Sequence, residues 1–263
     1  MKIATWNINS IRARLASIVK FIETHAPDVL CLQEIKVKDE LFPIQAMLDL
    51  GFSYFVIRGE KSYNGLAIFS KYPLESHQFI SFAGKQDSRH LSVTLPGDIE
   101  LHNIYIPAGG DIPDHELNNK FAHKLRFIDE LSDWFKENKK KDKKIILLGD
   151  FNVAPLKNDV WSHKQLLNVV SHTPIEVEKL LALQNSISFV DVVRKSVPES
   201  EKLYSWWSYR NHDWKTFNRG RRLDHIWVTK PLESQVRNSF IYTETRDYLS
   251  PSDHVPVVID ITL

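Results

Sequence analysis

The amino-acid sequence predicts a single α/β domain in which β-sheets stack on one another and helices cover the outside. Short apolar runs, of the length expected for buried strands, alternate along the chain with stretches whose apolar residues recur at helical spacing. The strand-like runs outnumber the helical stretches, and this excess favours stacked sheets. No Gly/Ser-rich or Pro-rich linker and no internal repeat interrupts the pattern, so we expect one domain over residues 1–263.

The chain opens with a strand, a helix and a second strand. The apolar runs Lys2–Trp6 and Val29–Leu32 have the pattern of buried strands. Between them, apolar residues recur at helical spacing from Ile11 to Ile22. Pro27 closes this predicted helix, because proline cannot continue the helical hydrogen bonding.

A second long helix is indicated by apolar residues at helical spacing from Leu117 to Trp134. It leads through the basic run Lys139–Lys144 into Ile145–Leu148, a strand that is apolar on both faces. Because the basic run lies between a helix and a strand, we interpret it as a solvated loop. Further strand candidates are Leu66–Ser70, Leu91–Leu95, Leu101–Ile106, Leu223–Thr229 and Val255–Ile261.

The composition is that of a globular protein, with 43% hydrophobic and 25% charged residues. No stretch approaches the roughly 18 uncharged apolar residues of a membrane-spanning helix, and Met1–Asn7 leads into a strand rather than a signal peptide. The single cysteine, Cys31, lies in an apolar run, and we expect it to be buried. A formal net charge of +1 neither requires nor excludes nucleic acid as a partner. We expect a cytoplasmic protein without membrane contact.

Polar side chains gather at the ends of the predicted strands. Since strand ends point side chains from a rigid core toward a shared cleft, we expect five of these ends to converge on one site. The polar residues at strand ends are Asn7, Glu34, Asn103, Tyr105, Asp150, Asn152, Asp224, Asp253 and His254.

The types of these residues suit a metal-assisted phosphodiester reaction. Carboxylate and amide oxygens match Mg²⁺ or Mn²⁺, whereas zinc would require Cys and His at short spacing. A divalent ion would polarise a phosphate oxygen, a carboxylate would position or deprotonate a water, and a His or Tyr would hydrogen-bond the phosphoryl group. The chain has no Gly-rich phosphate loop, which argues against a nucleoside triphosphatase.

Each of these residues alone has an ordinary structural interpretation. An Asp that follows a strand is usually a helix cap or a turn residue. Asp253 and His254 are compatible with a simple turn, and Glu34 is compatible with a surface position. Only the whole set of polar residues at strand ends therefore indicates a catalytic site.

Seven segments, spread in order over nearly the whole chain, match the motifs of one family. They are Trp6–Arg14, Leu32–Lys36, Tyr63–Ile68, Asn103–Pro107, Leu148–Asn152, Arg219–Ile226 and Pro251–Pro256. In these segments the sequence resembles exonuclease III-type apurinic/apyrimidinic (AP) endonucleases of the endonuclease/exonuclease/phosphatase superfamily. The resemblance implies a four-layer α/β sandwich, with two mixed β-sheets packed face to face and helices on the outer faces.

The resemblance also implies the cofactor and the residues that handle it. Glu34 would bind Mg²⁺, with Mn²⁺ as a substitute, and Asn7 and Asp253 would contact the metal directly or through water. Asp150 would orient or deprotonate the attacking water. Whether one or two metal ions act stays open.

Other matching residues would act on the phosphate. Asn152, Tyr105 and His254 would hydrogen-bond it, and Asp224 would orient the ring of His254. This last pairing is physically reasonable, because a carboxylate on one ring nitrogen leaves the other as a donor. Whether Asp150 or Tyr105 manages the proton of the water stays open.

The implied activity is hydrolysis of the phosphodiester 5′ to abasic sites in double-stranded DNA, with 3′–5′ exonuclease and 3′-phosphodiesterase activity. The implied DNA contacts are Arg12, Asn103, Trp206 and Arg219. Neighbouring aromatic residues in a strand place one ring on each face. By the resemblance, Trp206 would line the pocket for the extruded abasic sugar, and Trp207 would lie in the core.

Relatives with the same signatures cut other phosphoesters, among them secreted deoxyribonucleases, sphingomyelinases and inositol polyphosphate phosphatases. The segments Arg12–Arg14 and Tyr204–Arg210 favour the DNA repair branch, as does the lack of a signal peptide and of a cysteine pair. A non-catalytic nucleic-acid-binding module is disfavoured, because binding alone would not require the full catalytic set. We expect a monomer.

Two positions depart from the family pattern. Ser10 stands where glycine is common, and residues 108–114 form a different loop from that of many members. Because such a loop would lie close to the DNA strand, the balance between exonuclease and endonuclease activity stays open.

Overall fold

The computed structural model describes residues 1–210 and 213–262. Its strands are β1 (Lys2–Asn7), β2 (Val29–Gln33), β3 (Tyr54–Arg58), β4 (Leu66–Ser70), β5 (His77–Gln78), β6 (His90–Leu95), β7 (Ile99–Tyr105), β8 (Ile145–Asp150), β9 (Val190–Asp191), β10 (Trp206–Trp207), β11 (Gly220–Arg221), β12 (Asp224–Val228), β13 (Val236–Ile241) and β14 (Val257–Ile261). Its helices are α1 (Ile11–His25), α2 (Ile44–Asp49), α3 (Asn119–Asn138), α4 (His163–Leu166), α5 (Pro174–Asn185), α6 (Val192–Lys195), α7 (Trp214–Phe217) and α8 (Lys230–Glu233), with 3₁₀ turns at Asp39–Leu41 and Thr243–Asp247.

Two six-stranded mixed sheets form the centre of the fold. The first has the strand order β13-β14-β1-β2-β4-β3, and the second has the order β5-β6-β7-β8-β12-β9. Each sheet contains one parallel pair near its middle, β1 with β2 and β7 with β8, and its other pairs are antiparallel. The expectation of two mixed sheets is confirmed.

The two sheets pack face to face through apolar side chains that alternate along their strands. Ile3 and Ile68 of the first sheet and Leu101 and Ile146 of the second belong to the central core between the sheets. Alternation sends the neighbouring residue Ala4 to the opposite face, where it belongs to the cluster beneath α1. The inner strands of the sheets are therefore buried on both faces, in agreement with their continuous apolar runs.

Helices cover the outer face of each sheet. Ile18 and Phe21 of α1 pack against the first sheet, and Phe127, Leu131 of α3 and Leu180 of α5 pack against the second. The layer order is therefore helix, sheet, sheet, helix, as expected for a four-layer sandwich. Along the described ranges, no helix combines the length and the apolar character that a membrane crossing requires.

Local signals explain the ends of the long helices. Helix α1 ends at His25, and Ala26 adopts a left-handed conformation just before Pro27, as the proline predicted. Helix α3 begins at Asn119 rather than at Leu117, because the side chain of Asn118 accepts the backbone N–H of Lys120 and caps the helix. The lysine run after α3 is an exposed loop, as expected.

Candidate active site

The polar strand ends meet at one edge of the two sheets. Because β1 and β2 are parallel, and β7 and β8 are parallel, the carboxyl ends of these four strands reach the same edge. Strands β12 and β14 run antiparallel to their neighbours, so their amino ends arrive there too. Tyr105 lies opposite Asp150, which lies opposite Asp224, and Asn7 lies opposite Gln33. The predicted convergence of strand ends is observed.

Glu34 lies directly after β2, on the side of the site that belongs to the first sheet. Its Oε1 accepts hydrogen bonds from Asn7 Nδ2 at 2.9 Å and from the Tyr105 hydroxyl at 2.8 Å. Its Oε2 lies 2.7 Å from the ammonium of Lys36. Three donors therefore hold this carboxylate in one orientation.

The same contacts shift the pKa values of Glu34 and Tyr105. Burial opposes ionisation of Glu34, but the ammonium of Lys36 and the hydrogen bonds from Asn7, Lys36 and Tyr105 outweigh it and lower its pKa. Burial, together with the nearby charge of Glu34, raises the pKa of Tyr105 well above its usual range. Tyr105 is therefore a neutral phenol that donates to an ionised carboxylate.

The backbone around Glu34 is strained and is supported from a neighbouring loop. Glu34 and Lys36 both have positive φ values, 52° and 53°, which cost non-glycine residues roughly 1–2 kcal/mol each. The N–H groups of Ile35 and Lys36 donate to the carbonyls of Gly65 and Asn64. Gly65 has φ +90, and a Cβ there would lie 2.6 Å from the side chain of Ile35. The loop that precedes β4 thus holds Glu34 in place.

Ser10 marks a second strained turn beside Glu34. Asn9 has a φ of 47° and Ser10 a φ of 93°, in the region that favours glycine. The N–H of Ser10 donates to the carbonyl of Glu34 at 2.7 Å. Serine therefore keeps the turn at a conformational cost that a glycine would avoid.

Asn7 joins the two carboxylates at the centre of the site. Its Nδ2 donates to Glu34 Oε1 at 2.9 Å and to Asp150 Oδ2 at 2.8 Å. Its Oδ1 accepts the N–H of Asn9 at 3.1 Å. The amide oxygen that a metal contact would use is therefore directed away from the carboxylates. Through its Nδ2, Asn7 fixes the separation between the carboxylates of Glu34 and Asp150.

Asp150 is buried at the end of β8 and is fixed by its neighbours. Its Oδ2 accepts from Asn7 Nδ2 and, at 3.1 Å, from Asn152 Nδ2, while its Oδ1 accepts the N–H of Asn152 at 2.9 Å. This folded-back arrangement requires the left-handed conformation of Asn152, whose φ is 53°. Gly149, with φ +133, allows β8 to approach β7, since a Cβ there would lie 2.0 Å from the carbonyl oxygen of Ile104.

His254 and Asp224 form a buried pair next to Asp150. His254 Nδ1 donates to Asp224 Oδ2 at 2.8 Å, and its Nε2 lies 3.6 Å from Asp150 Oδ2. The hydroxyl of Ser205 donates to the same Asp224 oxygen at 2.6 Å. Asp224 therefore sets the orientation of the ring, as the resemblance implied, and leaves Nε2 facing the centre of the site.

The pKa values of Asp150 and His254 are both raised. Burial raises the pKa of Asp150 to about 7, with a further contribution from the charge of Asp224 and opposition from His254. Burial opposes the charged form of His254, but Asp224 and Asp150 outweigh it and raise its pKa to about 10. The site therefore contains a carboxylate that takes up a proton near neutral pH beside a charged imidazolium.

Asp253 is held between the two sides of the site. Its Oδ1 accepts from Asn9 Nδ2 at 3.2 Å, and its Oδ2 accepts from Trp206 Nε1 at 3.0 Å. Burial opposes its ionisation, but His254 and these donors outweigh it and lower its pKa. Asp253 therefore remains a carboxylate whose oxygens both have protein partners.

Trp206 faces a cleft beside the site, and Trp207 lies in the core. Trp207 is buried, whereas Trp206 is partly exposed and lines a cleft of about 420 Å³. Arg219 lies over the ring of Trp161, 5.0 Å from its centroid, at the wall of the same cleft. The expected place of Trp207 in the core is confirmed, and Trp206 lies at a cleft.

One expected DNA contact, Asn103, lies where DNA cannot reach it. It has no exposed surface, its Nδ2 donates to the carbonyls of Leu32 and Ala67, and its Oδ1 accepts from Gln33. Its hydrogen bonds therefore link the two sheets, and the assignment to DNA binding was wrong. Arg222, in the matched segment Arg219–Ile226, is likewise buried and paired with two aspartates, so it does not contact DNA.

The oxygen donors of the site fit a hard divalent cation. Glu34 is an ionised carboxylate whose Oε2 already attracts an ammonium group, so this position favours positive charge. Asp150, Asp224 and His254 also place one ligand atom each within 4.8 Å of the others. Because Asp224 and His254 hydrogen-bond each other, however, that group acts as a hydrogen-bonded chain rather than as a metal cage.

Sequence reasoning missed a buried ion pair that supports the catalytic loop. Lys124 of α3 and Glu176 of α5 are both fully buried, 2.5 Å apart. Lys124 Nζ also donates to the carbonyl of Asn152 at 2.8 Å and to that of Ala108 at 3.3 Å. A lysine within a helical pattern has the appearance of a solvated residue, and only its distant partner reveals the role.

Comparison with known proteins identifies the family. The model of the endonuclease/exonuclease/phosphatase family matches residues 4–254. Exodeoxyribonuclease III of Haemophilus influenzae is 31% identical and covers 98% of each chain. The structure of an AP endonuclease from Archaeoglobus fulgidus superposes with a TM-score of 0.93 at 31% identity over the full length of both chains.

A DNA-bound structure extends the comparison. The 3′ phosphatase NExo from Neisseria, bound to a product DNA hairpin, superposes with a TM-score of 0.90 at 28% identity over the full length of both chains. The fold and the motif resemblance are thereby confirmed. The chain belongs to the endonuclease/exonuclease/phosphatase family and is a DNA repair nuclease of the exodeoxyribonuclease III type.

Proposed function

We propose that the chain hydrolyses the phosphodiester 5′ to abasic sites in double-stranded DNA with Mg²⁺, for which Mn²⁺ can substitute. We propose further that it acts as a 3′–5′ exonuclease and 3′-phosphodiesterase at DNA ends. One observation carries the proposal. The buried chain of Asp150, His254 and Asp224 faces Glu34 across Asn7, next to a cleft with Trp206 in its wall. The similarity of the chain to an exodeoxyribonuclease III and to an AP endonuclease supports it.

Asp150 is the group we assign to the attacking water. Its raised pKa of about 7 suits a general base near neutral pH, and Asn7 and Asn152 fix its oxygens. Tyr105 is less suited to take a proton, because its raised pKa keeps it a neutral phenol. Tyr105 instead fixes Glu34, because its single hydroxyl hydrogen is donated to Oε1 of that carboxylate; to hydrogen-bond the phosphate, the hydroxyl would have to release Glu34.

His254 is the group that we assign to the phosphoryl oxygens; Asn152 Nδ2 donates to the carbonyl of Ile106 and to Asp150, and would reach the phosphate only by releasing one of them. The imidazolium of His254 donates through Nε2 while Asp224 holds Nδ1, and this donation strengthens as charge develops in the transition state. Glu34 would hold the divalent ion, together with Asp253 through direct or water-mediated contact, and the ion supplies positive charge to a phosphate oxygen.

The cleft beside Trp206 suits an extruded abasic sugar. Extruding a nucleotide without a base from the duplex costs little free energy, because no base has to be unstacked. The ring of Trp206 forms one wall, and Arg219 is positioned to contact a phosphate. Arg12, in a basic cavity near Glu34, is positioned for a second phosphate. We further propose that residues 1–263 form one domain that acts as a cytoplasmic monomer.

The proposed function is tested by nicking of a duplex with a stable abasic analogue. We expect cleavage that leaves a 3′-hydroxyl, because hydrolysis needs no sugar aldehyde, whereas a lyase reaction does. Activity should vanish in excess EDTA and return with Mg²⁺ or Mn²⁺. Failure on the analogue, or full activity in excess EDTA, would contradict the proposal.

A further inference from the structure

A basic cavity lies beside Lys36, the residue whose ammonium contacts Glu34. It has a volume of about 280 Å³ and is lined by Arg12, Lys36, Lys38 and Lys61, together with Val37, Leu41 and Ser62. Among the residues that the structure describes, no acidic side chain lines it. Lys36 is paired with Glu34, but Arg12, Lys38 and Lys61 add three positive charges to the lining, so the cavity favours an anion such as a phosphate group.

Lys36 belongs both to this cavity and to the centre of the site. It lines the cavity, yet its ammonium lies 2.7 Å from Glu34 Oε2 and 2.5 Å from Asn9 Oδ1. Its side chain is 28% exposed, and that of Glu34 is 17% exposed. A long, partly solvated lysine can exchange one partner for another without disturbing the core.

Asn7 and Tyr105 both donate to Oε1 of Glu34, and the ammonium of Lys36 contacts the other oxygen, Oε2. A divalent ion held by Glu34 would compete for this oxygen and would repel the ammonium at short distance. Lys36 and the ion therefore exclude each other at Glu34.

We propose that Lys36 neutralises Glu34 while DNA is absent, and that a DNA phosphate entering the basic cavity draws the ammonium away and frees Glu34 for the divalent ion. This inference rests on the proposed metal-dependent cleavage of DNA. It makes the binding of DNA and the binding of metal mutually reinforcing, because by linkage each ligand raises the affinity for the other by the same factor. The free enzyme would thus hold its metal weakly, and the loaded form would assemble on the substrate.

The test measures Mn²⁺ binding by electron paramagnetic resonance, without turnover, on the full chain. Without DNA, Lys36→Gln should bind Mn²⁺ about five- to twentyfold more tightly than the wild type, since no ammonium competes. Lys36→Arg keeps the charge and should remain weak. Lys38→Gln removes a charge from the same cavity but not from Glu34, and should change the affinity by less than about twofold. A duplex with a hydrolysis-resistant linkage at the abasic site should tighten Mn²⁺ binding to the wild type more than to Lys36→Gln.

The outcomes separate this inference from the function on which it rests. If Lys36→Gln binds Mn²⁺ no more tightly than Lys38→Gln does, Lys36 does not compete with the metal and the inference is overturned, while metal-dependent cleavage stands. If Glu34→Gln binds Mn²⁺ as the wild type does, the metal is held elsewhere, and both the metal assignment and the inference are wrong. Thermal unfolding of each variant checks that its fold is kept.

Discussion

The two sides of the site hold their charged groups in different ways. On the side of the second sheet, Asp150, Asp224 and His254 are buried, with side chains at most 5% exposed; His254 is hydrogen-bonded to Asp224, and its other ring nitrogen lies 3.6 Å from Asp150. On the side of the first sheet, Glu34 and Lys36 form a more exposed pair on a strained loop. One side is fixed before the substrate arrives, and the other retains an exchangeable partner.

This difference matches the two tasks that the proposed reaction requires. Proton transfer and charge stabilisation depend on groups that are already oriented, because reorganisation during the reaction costs rate. Metal and phosphate binding instead involve ligands that enter and leave. Burial of the first set and partial exposure of the second therefore separate the chemistry from the loading of the site.

The largest effect is expected where the fixed side is broken. His254→Ala should lower kcat/KM on an abasic duplex by about a hundred- to a thousandfold, and Asp224→Asn should lower it by a similar or smaller factor. Because the two residues act as one unit, the double variant should be little worse than His254→Ala alone. Losses that multiply as for independent sites would contradict the pairing.

Asp224→Asn should also change the dependence of kcat/KM on pH. Protonation of Asp150 limits activity at the acidic end, and deprotonation of His254 limits it at the alkaline end. Asp224 raises the pKa of both groups, so Asp224→Asn should lower both and move both limbs of the kcat/KM profile to lower pH. Asp98→Asn, on an exposed turn, serves as the matched control and should leave the profile unchanged.

A smaller effect is expected at Trp206, which joins the cleft to the site. Trp206→Ala should weaken abasic cleavage by about tenfold more than digestion from an ordinary 3′ end, because the wall of the sugar pocket is lost. Since Trp206 Nε1 also donates to Asp253, Trp206→Phe separates the ring from the hydrogen bond and should keep most of the preference. Equal losses on both substrates in steady-state assays would assign the ring a purely structural role.

The smallest effect on rate is expected at the buried pair beneath the catalytic loop. Lys124→Met alone should destabilise the fold by about 3–5 kcal/mol, because it leaves Glu176 charged and buried. The double variant Lys124→Met/Glu176→Gln should regain most of that stability in urea unfolding, because the amide removes the buried charge while its oxygen can still accept the N–H groups of Ser171 and Thr173. Its kcat should stay about tenfold low, because the carbonyl of Asn152 has lost its anchor.

A matched pair at the surface controls for the general loss of an ion pair. Lys179→Met removes the contact to Asp129, which is half exposed, and should cost less than about 1 kcal/mol. If the buried double variant recovers its activity along with its stability, Lys124 supports the fold only and does not position the loop.

The residues at strand ends were predictable because each follows a run that is apolar on both faces. Such a run can only be a buried strand, and the first polar residue after it must leave the core at the sheet edge. Asp150 after Ile145–Leu148 is the clearest example. The same reasoning failed at Asn103, because this residue lies inside β7 rather than at its end. Polarity alone does not distinguish a buried bridge between sheets from a surface group.

Some strands and helices are only weakly indicated by the sequence. Strands β3 and β13 lie at the edges of the first sheet and are partly exposed, so their apolar pattern is diluted. Helix α5 has little amphipathic pattern, although its start carries a capping box between Thr173 and Glu176 that a search for caps would have found. The partners of Lys124 and Lys36 depend on contacts across the fold, which periodicity does not report.

The position of β1 between β2 and β14 has a consequence for the order in which the molecule forms. Residues from the start of the chain pair with Val257–Ile261 near its end, and His254 lies just before that last strand. A chain still emerging from the ribosome therefore cannot complete its first sheet, and it lacks the histidine that completes the site. The nuclease would become competent only after Val257–Ile261 have been synthesised, so that chains without this strand would not cut DNA.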